Sequence, residues 1–299
     1  MIDGALPYLR CPICRQPLAR AERALRCPLG HSFDMARQGY ADLSGGRMPH
    51  VGDTAEMVAD RADFLAAGHY DFIADALANA AGRPEAALPI AGAGQSEAAA
   101  LPIAGAGRSE AGAVAPLIVD AGVGTGHYLA RVLDATPDAS GLGLDVAKPA
   151  LRRAARAHPR AAAVLADLWR PLPLADASAA VLLNVFAPRN GPEFRRVVRP
   201  DGRLLVVTPA AGHLRELIAA HGLIHVDPDK AARVGAALGD HFKPDGSITL
   251  RHELHLSAAE ARTLIGMTPS ARHVRAAALP TTPVTVTAAI DLTTYKPRH

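Results

Sequence analysis

Every cysteine of this chain lies in its first tenth. Cys11 and Cys14 form a C-x2-C pair, and Cys27 opens a C-x3-H pair closed by His31. Three thiolates and one imidazole, offered from two turns on either side of a twelve-residue loop, suit a tetrahedral ion that a small ribbon can close around. Zinc fits this donor set. Iron is the weaker alternative, because a single mononuclear or cluster site normally takes four cysteines. An odd number of thiols also argues against a disulfide scaffold. With four protein ligands the ion has no open position for substrate, so Cys11, Cys14, Cys27 and His31 are expected to hold a structural metal.

The chain beyond the metal module is long enough for one large domain, since there are 299 residues in all, of which 49% are hydrophobic. No run has the length and uninterrupted apolar character of a membrane span, and no signal segment opens the chain, which makes cytoplasm the expected location. The net charge of +3 is unevenly placed: residues 1–47 carry seven arginines against four acids, so the remainder is neutral. A basic ribbon on a neutral body is an electrostatic foot for a polyanion. Arginine makes up 28 of the 32 basic residues, and guanidinium pairs bidentately with phosphate, although a GC-rich genome would favour arginine as well.

The second informative segment begins at Leu117. Leu117-Ile118-Val119 reads as a strand ended by Asp120, followed by Gly122, Gly124, Thr125 and Gly126 in a tight turn and a helix over 127–133. Such a strand-turn-helix lets backbone approach a ligand and offers it the unpaired N–H groups of a helix start. A dinucleotide fingerprint is G-x-G-x-x-G, whereas here the third glycine comes one residue early and an acid precedes the turn, as suits S-adenosylmethionine. The next strand, 142–144, ends in Asp145, placed to accept both ribose hydroxyls. A third, 163–166, ends in Asp167, placed to meet the adenine amino group. Three acids at three successive strand ends say far more than the glycines alone.

A further apolar run, 180–185, leads into Asn184-Val185-Phe186-Ala187-Pro188. In a doubly wound sheet ligands sit beyond the carboxyl ends of strands, so this segment faces the methyl acceptor. Phe186 can stack on a base and Asn184 can bond its edge; either can equally be ordinary core and turn. A fifth strand, 204–208, precedes His213 at the start of another helix.

Over nearly its whole length the chain resembles the 23S rRNA guanine-N1 methyltransferases that include the tylosin-resistance methyltransferase. The residues carrying the resemblance are Leu9-Arg10-Cys11-Pro12-Ile13-Cys14, the run from His31 to Tyr40, Gly52-Asp53-Thr54-Ala55-Glu56-Met57 and Gly68-His69-Tyr70. To these are added Asp120 to Gly126, Leu183 to Asn190, Thr208-Pro209 and His213-Leu214. The resemblance implies zinc on the four ribbon ligands and an rRNA hairpin gripped by the ribbon and a cleft. It also implies a cofactor site that includes Tyr70, Gly124, Thr125 and His213, and a homodimer. Within the family, the 184–190 run together with Lys148-Pro149 and the arginine-rich 152–160 looks like the tylosin-resistance branch, which modifies guanine 748 rather than 745. Arg152 and Arg156, four apart, can share a helix face and hold a phosphate.

The expected organisation is a zinc ribbon over 1–47, a helical connection over 48–84, a linker over 85–115 and a methyltransferase domain over 116–299. The linker contains a direct repeat, Leu88 to Ala98 recurring as Leu101 to Ala111, whose Gly, Ala and Pro content indicates loose chain. The fold class is α/β, a class I Rossmann-like doubly wound sheet behind a small ribbon, with 247–254 and 284–292 as two added strands, one antiparallel, and a helix over 258–265 between them. The reaction expected is methyl transfer to N1 of a flipped guanine. Two other classes compete with it: an RNA-binding protein with an inactive methyltransferase domain, and a small-molecule methyltransferase of antibiotic biosynthesis.

Overall fold

Short apolar runs separated by helices make a mostly parallel sheet whose strands are buried on both faces, and that pattern recurs through most of the chain. The computed structural model describes residues 2–46, 48, 50, 52–82, 115–223, 230–272 and 279–298. The direct repeat lies outside the described residues.

A one-turn helix α1 (Ile2–Ala5) opens the chain and buries Ile2 and Ala5. The ribbon comes next as three short antiparallel strands, β1 (Ala19–Ala21), β2 (Ala24–Arg26) and β3 (Ser32–Asp34). The fourth strand, β4 (Ala41–Asp42), leaves the ribbon and pairs in parallel with the outer strand of the large sheet. Helix α2 (Ala55–Ala66) is capped by Thr54, whose hydroxyl accepts the Met57 N–H at 3.3 Å. Helix α3 (Asp71–Gly82) begins after a break. The amphipathic segment read as one connection is thus two helices, divided at Gly68, whose φ of 82° a helix cannot contain.

The large sheet begins with β5 (Leu117–Ala121) and continues through α4 (His127–Asp134), β6 (Ser140–Asp145), α5 (Lys148–Ala154), β7 (Ala161–Leu165) and β8 (Ala179–Val185). Helix α6 (Gly191–Val197) leads directly into β9 (Val198–Pro209), and α7 (Arg215–His221) and α8 (Lys230–Leu238) precede two long strands. These are β10 (Phe242–Leu256) and β11 (Val284–Pro297), separated by α9 (Ala258–Gly266), whose N-terminus is closed by a Ser257–Glu260 capping box. The strand order is β10-β11-β9-β8-β5-β6-β7-β4. Strands β4 to β9 are paired in parallel, and β11 runs antiparallel to both β9 and β10. The two added strands and the intervening helix therefore stand where they are expected.

The order reverses at β5, which has β6 on one side and β8 on the other. A crevice opens at such a reversal, beyond the strands' carboxyl ends. Two apolar layers cover the sheet. One contains Phe64, Tyr70, Leu77, Leu129 and Leu264 from α2, α3, α4, α9 and the turn between the first two. The other contains Phe194 and Phe242 together with Leu9, Cys11, Leu25 and Phe33, so the ribbon shares the core of the main domain.

Candidate active site and metal centre

The four ribbon ligands meet because two tight turns deliver them. The ligating atoms of Cys11, Cys14, Cys27 and His31 all lie within 4.8 Å of one another. Cys14 Sγ is 3.6 Å from Cys27 Sγ, and His31 Nδ1 is 3.3 Å from Cys27 Sγ and 3.6 Å from Cys11 Sγ. A tetrahedron with Zn–S bonds of about 2.3 Å has S···S edges of roughly 3.8 Å, so the donors already describe one. Burial opposes ionisation of Cys27, but the backbone of His31, the Cys14 thiol and the backbone of Leu29 pull its pKa down to about 7. Both the donor chemistry and the spacing fit a structural zinc ion.

In the crevice, the glycine turn after β5 packs against its surroundings so closely that side chains are excluded. At Gly122 (φ 93°) a Cβ would come within 2.4 Å of the Ala187 Cβ, and at Gly126 (φ 88°) within 2.7 Å of the Ala157 Cβ. Thr125, partly exposed, stands in the turn itself. Asp145 braces that turn: its Oδ2 accepts the Gly124 N–H at 2.9 Å and its Oδ1 the Ala147 N–H at 2.8 Å. Burial raises its pKa, and those two hydrogen bonds oppose the rise. Each oxygen keeps a lone pair that a ribose hydroxyl can use.

Asp120 differs. The residue is 1% exposed, and neither carboxyl oxygen has a hydrogen-bond partner among the described residues. Burial first, and then the neighbouring Asp145, push its pKa up to about 8, so it is protonated at neutral pH. An orphaned buried carboxyl beside a glycine cradle fits a polar ligand that completes the site. S-adenosylmethionine, with a diol, an ammonium and a sulfonium, has the chemistry these acids call for.

Tyr70, Phe186 and His213, from three different parts of the chain, converge on one side of the crevice. The Tyr70 ring lies 6.5 Å from those of Phe186 and His213, which are 6.2 Å from each other. Tyr70 and His213 are buried, whereas Phe186 is 40% exposed. Phe186 also has a φ of 52°, a left-handed conformation unusual for a bulky residue. The Gly68-His69-Tyr70 run has three separable duties. Gly68 turns the chain, His69 Nε2 reaches Glu260 of α9 at 3.0 Å, and Tyr70 stacks edge-on against Phe64.

Two residues also have partners inside the protein. Asn184 is fully buried, and its Nδ2 donates to Ala121 O at 3.1 Å and Pro188 O at 2.9 Å. It holds the loop after β8 in place with its NH2 group, while its Oδ1 has no partner among the described residues and stays available as an acceptor. Asp167 receives the Trp169 N–H at 3.0 Å on Oδ1 and meets His50 Nδ1 at 2.8 Å on Oδ2, which leaves each oxygen one lone pair for an adenine amino group. On the phosphate side, α5 ends at Ala154, which leaves Arg156 in the turn beyond the helix, while Arg152 is exposed on it.

Three residues to which the sequence pattern gives no role line the same crevice: His50, Asp53 and Arg61. Their signal lies in the Gly52-Asp53-Thr54 run. An acid next to a helix cap, eight residues before an arginine on that helix, brings an ion pair over the glycine turn.

The strand order, the glycine turn braced by Asp145 and the three acids define a class I S-adenosylmethionine-dependent methyltransferase carrying a structural zinc ribbon. Residues 9–44 match the zinc-ribbon family described as RlmA, N-terminal. A Micromonospora griseorubida protein named for 23S rRNA guanine-N1 methylation is 59% identical over 99% of this chain and all of its own. The 23S rRNA (guanine(748)-N(1))-methyltransferase of Streptomyces fradiae is 46% identical over 91% of this chain and 89% of its own. A solved SAM-dependent methyltransferase from Aquifex aeolicus aligns at 13% identity over 60% of this chain and 81% of that one, with a TM-score of 0.37, too distant to add to the strand order. The chain belongs to the 23S rRNA (guanine-N1)-methyltransferase family.

Proposed function

We propose that this protein methylates N1 of guanine 748 in a 23S rRNA hairpin loop, as its Streptomyces fradiae relative is named for doing. The observation that carries the reading is Phe186. A half-open aromatic ring, turned outward at the end of β8 and backed by Tyr70 and His213, is a stacking platform for an unpaired base. Flipping costs least where the base is already unpaired, which favours a loop.

The cofactor supplies a methyl group already activated by its positive sulfur. The chain's work is then to place guanine N1 in line, exclude water and let the N1 proton leave. His213 Nδ1 accepts the Ala289 N–H at 3.2 Å, which leaves Nε2 as the ring's donor. Burial raises the Tyr70 pKa, so its hydroxyl stays protonated too. We assign no base to the chain, and in this reading the N1 proton is released to water after transfer.

The ribbon supports the RNA reading by its surface. Ile13 and Leu29, one in each zinc turn, and Trp169, on the loop after β7, are large apolar residues more than half exposed. Exposed Arg23, Arg26 and Arg37 supply charge for phosphates. Among the described residues no helix is long and apolar enough to cross a membrane. A cytoplasmic location, a homodimer and protection against tylosin-type macrolides complete the proposal; cell fractionation, sedimentation and drug sensitivity of an expressing host test them.

Primer extension on 23S rRNA incubated with the protein and S-adenosylmethionine tests the target. A stop one nucleotide before guanine 748 is expected, because an N1 methyl blocks base pairing. A stop at another guanine of that loop would refute the choice of base, and no stop in the loop would refute the proposal.

A further inference from the structure

Arg61 stands over the glycine turn. If Gly124 carried a Cβ, the Cδ and Nη1 atoms of Arg61 would each lie 3.7 Å from it. The arginine is held there from two sides: Nη1 bonds the Asp53 carboxylate, and Nη2 donates to Met267 O at 2.9 Å, just past the end of α9. Helix α9 comes this close to α2 because Gly266 leaves room for Asp60, where a Cβ would lie only 1.9 Å from the Asp60 Oδ2. The guanidinium is partly buried, with its side chain 26% exposed.

The crevice is otherwise acidic. Asp145 and Asp53 flank the turn, Asp120 beside it is held protonated, and the charges of both Asp53 and Arg61 are felt at Asp145. Such a site suits the diol, ammonium and sulfonium of the cofactor but repels its one anion, the α-carboxylate of the methionine tail. With ribose at the end of β6, the base at the end of β7 and the acceptor at the end of β8, the tail is left the glycine turn beneath α2. That is where Arg61 is held. Two of its five N–H donors are used by Asp53 and Met267, and the planar fork matches a carboxylate bidentately.

We propose that Arg61 anchors the α-carboxylate of S-adenosylmethionine, and that Asp53 positions the guanidinium for it. The inference deepens the cofactor site and rests on that assignment. Asp53 also neutralises Arg61 before the cofactor arrives, so the partly buried cation is never left unpaired.

Calorimetric titration of the zinc-loaded protein with S-adenosylmethionine and with its decarboxylated analogue tests this, because the two ligands differ only in the carboxylate. Wild type should prefer the intact cofactor. Arg61→Gln should weaken it by about 10- to 100-fold while moving the analogue less than about twofold, and Arg61→Lys should restore part of the loss. Should Arg61→Gln fail to fold in a thermal melt, Asp53→Asn serves as the second variant. It should weaken the intact cofactor by roughly 3- to 10-fold and spare the analogue. Equal weakening of both ligands would overturn the proposal, since it would mean Arg61 merely braces the turn, as would unchanged affinity for the intact cofactor. If wild type bound neither ligand, the cofactor assignment itself would fall, and the anchor with it.

Discussion

Asp120 makes the stability of the cofactor-free protein depend on pH in an unusual direction. In the unfolded chain an aspartate titrates near pH 3.9, whereas in the fold burial and Asp145 push this one up to about 8. Between those values the folded state keeps a proton that the unfolded state has lost, so stability falls as pH rises through the window and levels off above it. At about 1.36 kcal/mol per pH unit, the loss from pH 5 to pH 7 is roughly 2.7 kcal/mol, and the full cost at pH 7 approaches about 4 kcal/mol. Asp120→Asn keeps the shape and removes the titration. Its amide brings its own unsatisfied donors, but that cost does not vary with pH. Thermal melts of both zinc-loaded proteins at pH 5, 6 and 7 should therefore diverge. Wild type should lose on the order of 5–10 °C relative to Asp120→Asn across the interval, at about 2–4 °C per kcal/mol for a domain of this size. Parallel pH profiles would show that Asp120 ionises in the fold and that its isolation is not real.

Cys11→Ser should lower bound zinc from one ion per chain to none by metal analysis. It should also abolish rRNA binding while S-adenosylmethionine still titrates, because the glycine turn and the Asp145 that braces it lie outside the ribbon, which Arg15 ties instead to the loop after β7. Full methylation by that zinc-free variant would contradict the assignment. Deleting residues 101–113, the second copy of the repeat, should leave methylation and melting temperature nearly unchanged, since halving a loop alters closure entropy by only about 0.6 kcal/mol. A large drop in melting temperature would mean the repeat packs on the body.

Local patterns carried most of the fold. The strand ends at Asp120, Asp145 and Asn184 were legible because a buried parallel strand is a short apolar run stopped by a polar residue, and each run here is such a segment. The metal ligands were legible because they are close in sequence. What escaped depends on partners distant in sequence. The carbonyls of Ala121 and Pro188 claim the Asn184 NH2 group and leave its Oδ1 as the acceptor a base edge would meet. Asp167 gains a second neighbour in His50, 117 residues earlier, that no local pattern announces. Arg61 could not be distinguished from any solvated helix arginine without Gly124 beneath it. The helix break at Gly68 was equally hidden, since a single glycine inside an amphipathic run is compatible with continuation.

Long-range contacts also fasten a ribbon of very short strands to the main sheet. Arg15 in the first zinc turn donates to Leu172 O at 2.7 Å and Leu174 O at 2.8 Å, and Arg196 of α6 donates to the same two carbonyls from the main domain. Leu9 bridges to Leu174, and the Arg10 N–H reaches Pro173 O at 2.9 Å. Strand β4 then carries the chain onto β7, beside the acid that holds His50. Two arginines that composition would count toward RNA binding therefore serve internal duties, Arg15 here and Arg20 in its pair with Asp3 at 2.7 Å. The charge available to phosphate is smaller than the ribbon's net +3 suggests, and its placement matters correspondingly more. Because zinc fixes the turn that carries Arg15, and Arg15 grips the loop joining β7 to β8, the ion sets the distance between the ribbon and Phe186 through a shared core. Its contribution to methyl transfer is positional, exerted through a shared core rather than at the reacting atoms.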